Sequence, residues 1–233
     1  MIADFHSHIL PRVDDGSRSL RESIAMLQKE AEQGVTHVVA TPHFYAQHDT
    51  PEQFLERRKR AEERLREEMA KHSGLPELHV GAEIYFFPGI SDSDILKRLT
   101  IDKKECILLE MPVSSWTDRM YREIAEIPVK QGLTPIIAHV DRYIGPLATH
   151  GIPDRLAKLP VYVQANANFF LRAATRSMAL RMLQANRIHL IGSDCHNMSS
   201  RLPNVGPAAD VIRKRLGEEK LDRISSYEKE ILG

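Results

Sequence analysis

Short apolar runs along this chain end, one after another, on a side chain that can bind a metal ion. Met1-Ile2-Ala3-Asp4-Phe5 runs into His6-Ser7-His8, and Val38-Val39-Ala40-Thr41-Pro42 into His43. Val80-Gly81-Ala82 runs into Glu83 and Ile107-Leu108-Leu109 into Glu110. Pro135-Ile136-Ile137-Ala138 runs into His139, and Leu190-Ile191-Gly192-Ser193 into Asp194-Cys195-His196. With a further run at 161–166 there are seven, centred on 2–6, 36–42, 78–83, 106–110, 134–139, 161–166 and 188–193. Runs that are continuously apolar, rather than alternating, suit parallel strands covered on both faces. A closed barrel of such strands gathers their ends at one mouth, where enzymes of that architecture keep their chemistry. The pattern therefore predicts an α/β barrel with a cluster of metal ions at its mouth.

Helical material separates the runs. Ser19-Leu20-Arg21-Glu22 is a capping box followed by Leu20, Ile24, Leu27 and Ala31 on one face, with Gly34 as the stop. Thr50-Pro51-Glu52-Gln53 opens a second helix, whose charged run 52–72 buries only Phe54, Ala61, Leu65 and Met69. Because both signs are interspersed in that run, it reads as a solvated outer helix rather than a nucleic-acid surface. Pro128 predicts a kink or break within 118–131. No linker or tandem repeat divides the chain, so residues 1–233 read as one α/β domain.

Lys+Arg and Asp+Glu are both 32, which argues against a partner held by bulk charge, nucleic acid above all. No apolar stretch approaches the roughly 20 residues that span a bilayer, and no signal peptide is visible at the N-terminus. Two cysteines, Cys106 and Cys195, suit a reducing compartment. A cytoplasmic location without membrane insertion is the expectation.

In an extended strand His6 and His8 fall on the same side and can grip one ion. An H-x-H alone also fits a hydrogen-bonded pair; the accumulation of five histidines and several carboxylates at strand ends is what points to metal. The other six histidines serve as controls. His37, His79 and His189 fall near strand starts, at the opposite end of the barrel, and His48, His72 and His150 in loops or helix ends, where packing or surface roles suffice. Imidazoles with carboxylates and no thiolate set favour Mn²⁺, Fe²⁺ or Zn²⁺ in a non-structural site. Asp15, Glu83, Glu110 and Asp194 supply charge for two or three divalent ions. Arg142 and Arg201 lie close in sequence to these ligands and suit phosphate oxygens, or a neighbouring carboxylate. Cys195 and Arg201 formally match the C-x5-R signature of cysteine-dependent tyrosine phosphatases. The intervening residues lack the glycines of a tight phosphate loop, and Asp194 and His196 are already spoken for as ligands.

D-F-H-S-H-I at the start, V-D-D-G at 13–16, T-P-H at 41–43, G-A-E-I-Y at 81–85, L-E at 109–110, A-H-V-D-R-Y at 138–143 and S-D-C-H-N at 193–197 cover nearly the whole chain. In that order they resemble the polymerase-and-histidinol-phosphatase (PHP) phosphoesterases, most closely the bacterial capsular-polysaccharide tyrosine-protein phosphatases. The resemblance implies a distorted seven-stranded (βα) TIM-like barrel with a trinuclear site, commonly holding manganese. It implies that His6, His8, Glu83 and Asp194 hold one ion. Glu83 bridges to a second held by Glu110 and His139, and Asp15, His43 and His196 hold the third, with Asp14 the rival to Asp15. Arg142 and Arg201 match positions that bind the substrate phosphate; Asn166 is assigned a polar contact only. Val140 and Asp141 stand where relatives often carry Pro and Glu, and the loop after His43 lacks an expected basic segment; both bear on substrate recognition. The implied reaction is hydrolysis of phosphotyrosine by a metal-bridged hydroxide, on the tail of a bacterial tyrosine kinase that controls capsule or exopolysaccharide synthesis. Two alternatives stay open: a histidinol-phosphate or other small-molecule phosphoesterase of the same fold, and a non-catalytic metal-binding accessory module. Oligomeric state is not legible.

Overall fold

The computed structural model describes residues 2–144 and 151–233; His150 lies outside them. Among the described residues, nine strands are interspersed with eight α-helices. They run β1 (Ala3–Ser7), α1 (Leu20–Glu32), β2 (His37–Ala40), β3 (His43–Phe44), α2 (Pro51–Met69), β4 (Glu77–Val80), β5 (Glu83–Tyr85), β6 (Cys106–Glu110), α3 (Asp118–Gln131) and β7 (Thr134–Ile137). Then follow α4 (Ile152–Leu156), β8 (Tyr162–Asn166), α5 (Ala167–Leu171), α6 (Ala173–Gln184), β9 (Leu190–Gly192), α7 (Val205–Leu216) and α8 (Glu218–Leu232). Every strand pair is parallel, in the orders β1-β2-β4 and β3-β5-β6-β7-β8-β9.

Two of the seven apolar runs are thus each split into two strands. Between β2 and β3 stands Pro42, which has no N–H for a ladder. Between β4 and β5 stands Gly81, where a Cβ would meet Ile101 Cγ1 at 2.9 Å. Main-chain bonds carry the ladder across both gaps: Thr41 N–H donates to Ser7, Gly81 N–H to Ala40, and Glu83 N–H to Pro42. At the other side, Asp194 N–H donates to the His6 carbonyl at 2.7 Å and His8 N–H to Cys195 at 2.9 Å, joining β1 to the chain that leaves β9. The result is a curled parallel half-barrel sheet.

Alternation along the strands separates two apolar clusters. Ile107 and Leu109 pack with Ile24, Phe54 and Ile124 from the helices, whereas Cys106 and Leu108 join Phe5, Ile136 and Leu190 in a smaller cluster. Ile231 and Leu232 of α8 cap that smaller cluster. Glu110 follows Leu108 by two residues, so it shares the face of the smaller cluster one step beyond it.

The helix starts follow the sequence. Ser19 accepts Glu22 N–H, and Thr50 accepts Gln53 N–H with Pro51 behind it. The break expected at Pro128 does not occur: α3 runs three residues past it, to a left-handed Gly132. Proline there removes one hydrogen bond in the last turn, and buried Tyr121, Ile124 and Ile127 hold the helix on the sheet.

Candidate metal centre

The site is built where the strands end. A register shift between Asp4 and Ser7 turns the end of β1. Asp4 fixes it by accepting His6 N–H at 3.1 Å and Ser193 N–H at 2.8 Å. His6 Nε2 and His8 Nε2 then lie 3.1 Å apart. Glu83, at the start of β5, reaches both with Oε2, at 3.1 and 3.3 Å, and Asp194 Oδ1 stands 3.7 and 3.5 Å away. The other oxygen of Glu83 is 2.7 Å from His139 Nε2, which is 3.4 Å from Glu110 Oε1. On the opposite flank, Asp15 Oδ1 is 3.4 Å from His196 Nε2 and 3.7 Å from His43 Nε2. All nine residues singled out as ligands in the sequence therefore converge, although they span 190 positions of chain. Asp194 and His139 take left-handed backbone, at φ 54° and 31°. Such strain in non-glycine residues persists where surrounding structure dictates it.

Behind these groups lies a layer of residues whose orienting roles the sequence did not announce. Asp14 accepts His8 Nδ1–H at 2.7 Å, His43 N–H at 2.9 Å and Gly16 N–H at 3.0 Å, so its carboxylate is consumed orienting others. Asp15 beside it is 67% exposed at the side chain and faces His43 and His196. Gln164 accepts His139 N–H at 2.6 Å and contacts His6 Nδ1 at 3.3 Å, and it donates to Asn166, whose amide donates to Asp194. Gln164 and Asn166 share one face of β8. That period-two pairing was the available signal, and only Asn166 was read from it.

The electrostatics are those of a crowded polar cage. Burial opposes charge on His8, yet the Asp14 charge and hydrogen bond outweigh it and hold the imidazolium form well above its ordinary range. Burial likewise raises Glu83 and Asp194, but the imidazoles around them win and both stay ionised. His139 is pushed up to about 9: burial is overcome by Glu110 and Glu83. His196 is held down to about 4 by burial, then by His8 and Arg201.

Four buried atoms that face this cage, His43 Nδ1, Glu83 Oε2, Glu110 Oε2 and His196 Nε2, make no well-aligned hydrogen bond, although His43 Nδ1 and Glu83 Oε2 are crowded to 2.9 Å. Lone pairs aimed at one another are what divalent cations neutralise, and the imidazole-carboxylate donor set fits such ions.

Arg142 and Arg201 close one side by donating to opposite oxygens of Asp194, Arg201 at 2.6 Å. They border a cavity of about 410 Å³ that also touches Asp141, Asn166, Phe169 and Arg172. Arg172, exposed at the start of α6, makes no ion pair among the described residues and was not foreseen. Asp141 is not exposed: it accepts Asn166 N–H at 2.8 Å. Cys195 is fully buried, and burial pushes its thiol well up, so the C-x5-R match supplies no nucleophile.

A curled parallel sheet that presents imidazoles and carboxylates at its strand ends marks this as a protein of the PHP type. The chain belongs to the capsular polysaccharide synthesis CpsB/CapC family, whose sequence profile matches residues 2–232. It is 30% identical to the tyrosine-protein phosphatase CpsB of Streptococcus pneumoniae over 237 residues, covering 93% of this chain and 92% of that one. It is 28% identical to the tyrosine-protein phosphatase YwqE of Bacillus subtilis (strain 168) over 227 residues, 93% and 85% of the two chains. Among solved structures, one from work on YwqE of Bacillus subtilis and CpsB of Streptococcus pneumoniae, described as unique metal-dependent tyrosine phosphatases, superposes with a TM-score of 0.86. The identity is 25%, over 99% of this chain and 94% of that one. Dihydropyrimidinase from Brevibacillus agri NCHU1002 superposes at 0.52 with 10% identity, over 95% and 67%, and shares the fold alone.

Proposed function

We propose that this protein is a metal-dependent protein-tyrosine phosphatase, a phosphoric monoester hydrolase of capsule or exopolysaccharide synthesis. One observation carries the reading: nine imidazole and carboxylate side chains converge at one mouth, where Asp194 adjoins an arginine-lined cavity. The names of the relatives supply the substrate class. Residues 1–233 form one domain in this reading, and its nine strand segments count as seven rungs of a distorted barrel, since the main chain bonds across both interruptions. The protein works in the cytoplasm; no helix among the described residues is long and apolar enough to cross a membrane.

His6, His8, Glu83 and Asp194 would hold one divalent ion, Glu83, Glu110 and His139 a second, and Asp15, His43 and His196 a third, with Mn²⁺ the first choice and Fe²⁺ or Zn²⁺ next. When bound, such ions activate water and offset charge on phosphate oxygens. The chain's own residues do the rest. Arg142 and Arg201 present guanidinium forks to the non-bridging oxygens of the phosphoryl group. Asp14 and Gln164 keep His8 and His6 turned toward the centre, as outer partners of ligands do. Asn166 holds Asp194 from behind, and Arg172 offers positive charge to the part of the substrate that lies along the cavity. A phenolate leaves with a reference pKa near ~10 and needs less protonation than an alkoxide, so no general acid is assigned. The substrate in this reading is a phosphotyrosine-rich tail of a bacterial tyrosine kinase.

The test is turnover of a phosphotyrosyl peptide against histidinol phosphate at equal concentrations of Mn²⁺-supplemented protein. The reading expects the peptide to be favoured; preference for histidinol phosphate would replace it with the small-molecule alternative, and no hydrolysis of any aryl phosphate with the accessory module.

A further inference from the structure

At the far end of the sheet, away from the mouth, two histidines that packing or surface roles were expected to explain, His37 and His79, form a second cluster with Glu77. His37 opens β2, and Glu77 and His79 lie two residues apart on β4, with His37 directly paired to Glu77 in the ladder. His37 Nδ1 and His79 Nε2 are 3.0 Å apart. Glu77 stands over both, one oxygen 3.7 Å from His37 Nδ1 and the other 3.9 Å from His79 Nε2. We propose that His37, Glu77 and His79 form a separate binding site for a zinc-class divalent ion.

Three features argue for it. The first is orientation. His79 Nδ1–H donates to Asp102 at 2.6 Å, which leaves Nε2 as a lone pair facing His37 and Glu77. A carboxylate behind a histidine is how metal-bound imidazoles are usually fixed in tautomer and angle. The second is the effort made to place that carboxylate. Asp102 and Lys103 take consecutive left-handed conformations, φ 49° and 60°, in residues that are not glycine. Asp102 thereby receives Val80 N–H at 2.9 Å as well as His79. The third is stoichiometry of charge and ligands. Two neutral imidazoles and one carboxylate make a three-ligand zinc set with a fourth position open. Glu77 and Asp102 together match the charge of a divalent ion. Two nitrogens bound tetrahedrally at about 2.1 Å lie about 3.4 Å apart, so a separation of 3.0 Å needs only a small adjustment. Glu77 is exposed and His79 buried, so the site is open to solvent on one side and rigid on the other.

The competing arrangement is a plain relay, Asp102 to His79 to His37, with no ion. Protein first loaded with Mn²⁺ is dialysed against Zn²⁺ and, separately, Co²⁺, and metal content and visible absorption are read for wild type, His37→Ala and Glu77→Gln. Glu77→Gln alters an exposed position and serves where His37→Ala does not fold. Wild type is expected to retain one more equivalent of zinc than either variant, and to show Co²⁺ ligand-field absorption in excess of the variants, while phosphotyrosyl hydrolysis is equal in all three. Displacement of Mn²⁺ at the mouth affects every protein alike and cancels in the difference. Equal zinc content and equal Co²⁺ spectra would overturn the proposal, and so would a loss of hydrolysis that tracks the loss of zinc.

Discussion

Asp14 and Asp15 are neighbours with opposite jobs, and the difference lies in what each oxygen already touches. Asp14 accepts three hydrogen bonds, one of them from His8. Asp15 projects from the rim and reaches His43 and His196. Asp15→Ala is therefore expected to lower bound metal by one equivalent. Asp14→Asn should keep the full complement but bind it about 10–100-fold more weakly, the usual cost of losing an outer partner. Metal titration with elemental analysis checks both, and an equivalent lost in Asp14→Asn but not in Asp15→Ala would reverse the roles. The sequence left this choice open for a physical reason: adjacent residues in a turn have no fixed periodicity, so only the bonds made by the folded loop tell them apart. Gln164 and Asp102 escaped notice likewise, since residues that act by orienting histidines carry no motif of their own.

Among the elements, the strand ends were legible because a hydrophobic run must stop where the sheet meets water, and polar groups there stand out against it. The interruptions were not. Continuous apolar patterning at 36–42 and 78–83 does not reveal that Pro42 and Gly81 interrupt the strands, and Pro128 looked like a breaker because the burial of Tyr121, Ile124 and Ile127, which holds α3 together past it, is a tertiary fact. Close approach between strands was equally hidden. A Cβ on Gly192 would meet the His6 Cβ at 2.5 Å, the His6 N at 2.9 Å and Gln164 Nε2 at 2.8 Å. Two of those atoms are fixed at the β1 end, so the strand must shift rather than a flexible tip. Gly192→Ala is expected to cut both metal content and hydrolysis at least tenfold while the helical circular-dichroism signal persists. A variant that keeps full metal and activity would show that the β1–β9 approach tolerates slack that the contacts deny.

For the whole molecule, the outlay of buried charge has one rationale. Four carboxylates and five imidazoles drawn from strands and loops along the length of the chain crowd a single mouth, and two arginines each turn one nitrogen to the same carboxylate. No apolar core gains from that arrangement; in the proposed reading it is a cage for cations beside a phosphate. The membership in the CpsB/CapC family and the fold shared with metal-dependent tyrosine phosphatases agree with it. The most direct measurement is anomalous diffraction at the manganese edge from crystals grown with Mn²⁺ and inorganic phosphate. The account predicts peaks enclosed by His6, His8, Glu83 and Asp194, by Glu83, Glu110 and His139, and by Asp15, His43 and His196, with phosphate touching Arg142 and Arg201. A mouth without anomalous density, in protein that still hydrolyses phosphotyrosine, would contradict it.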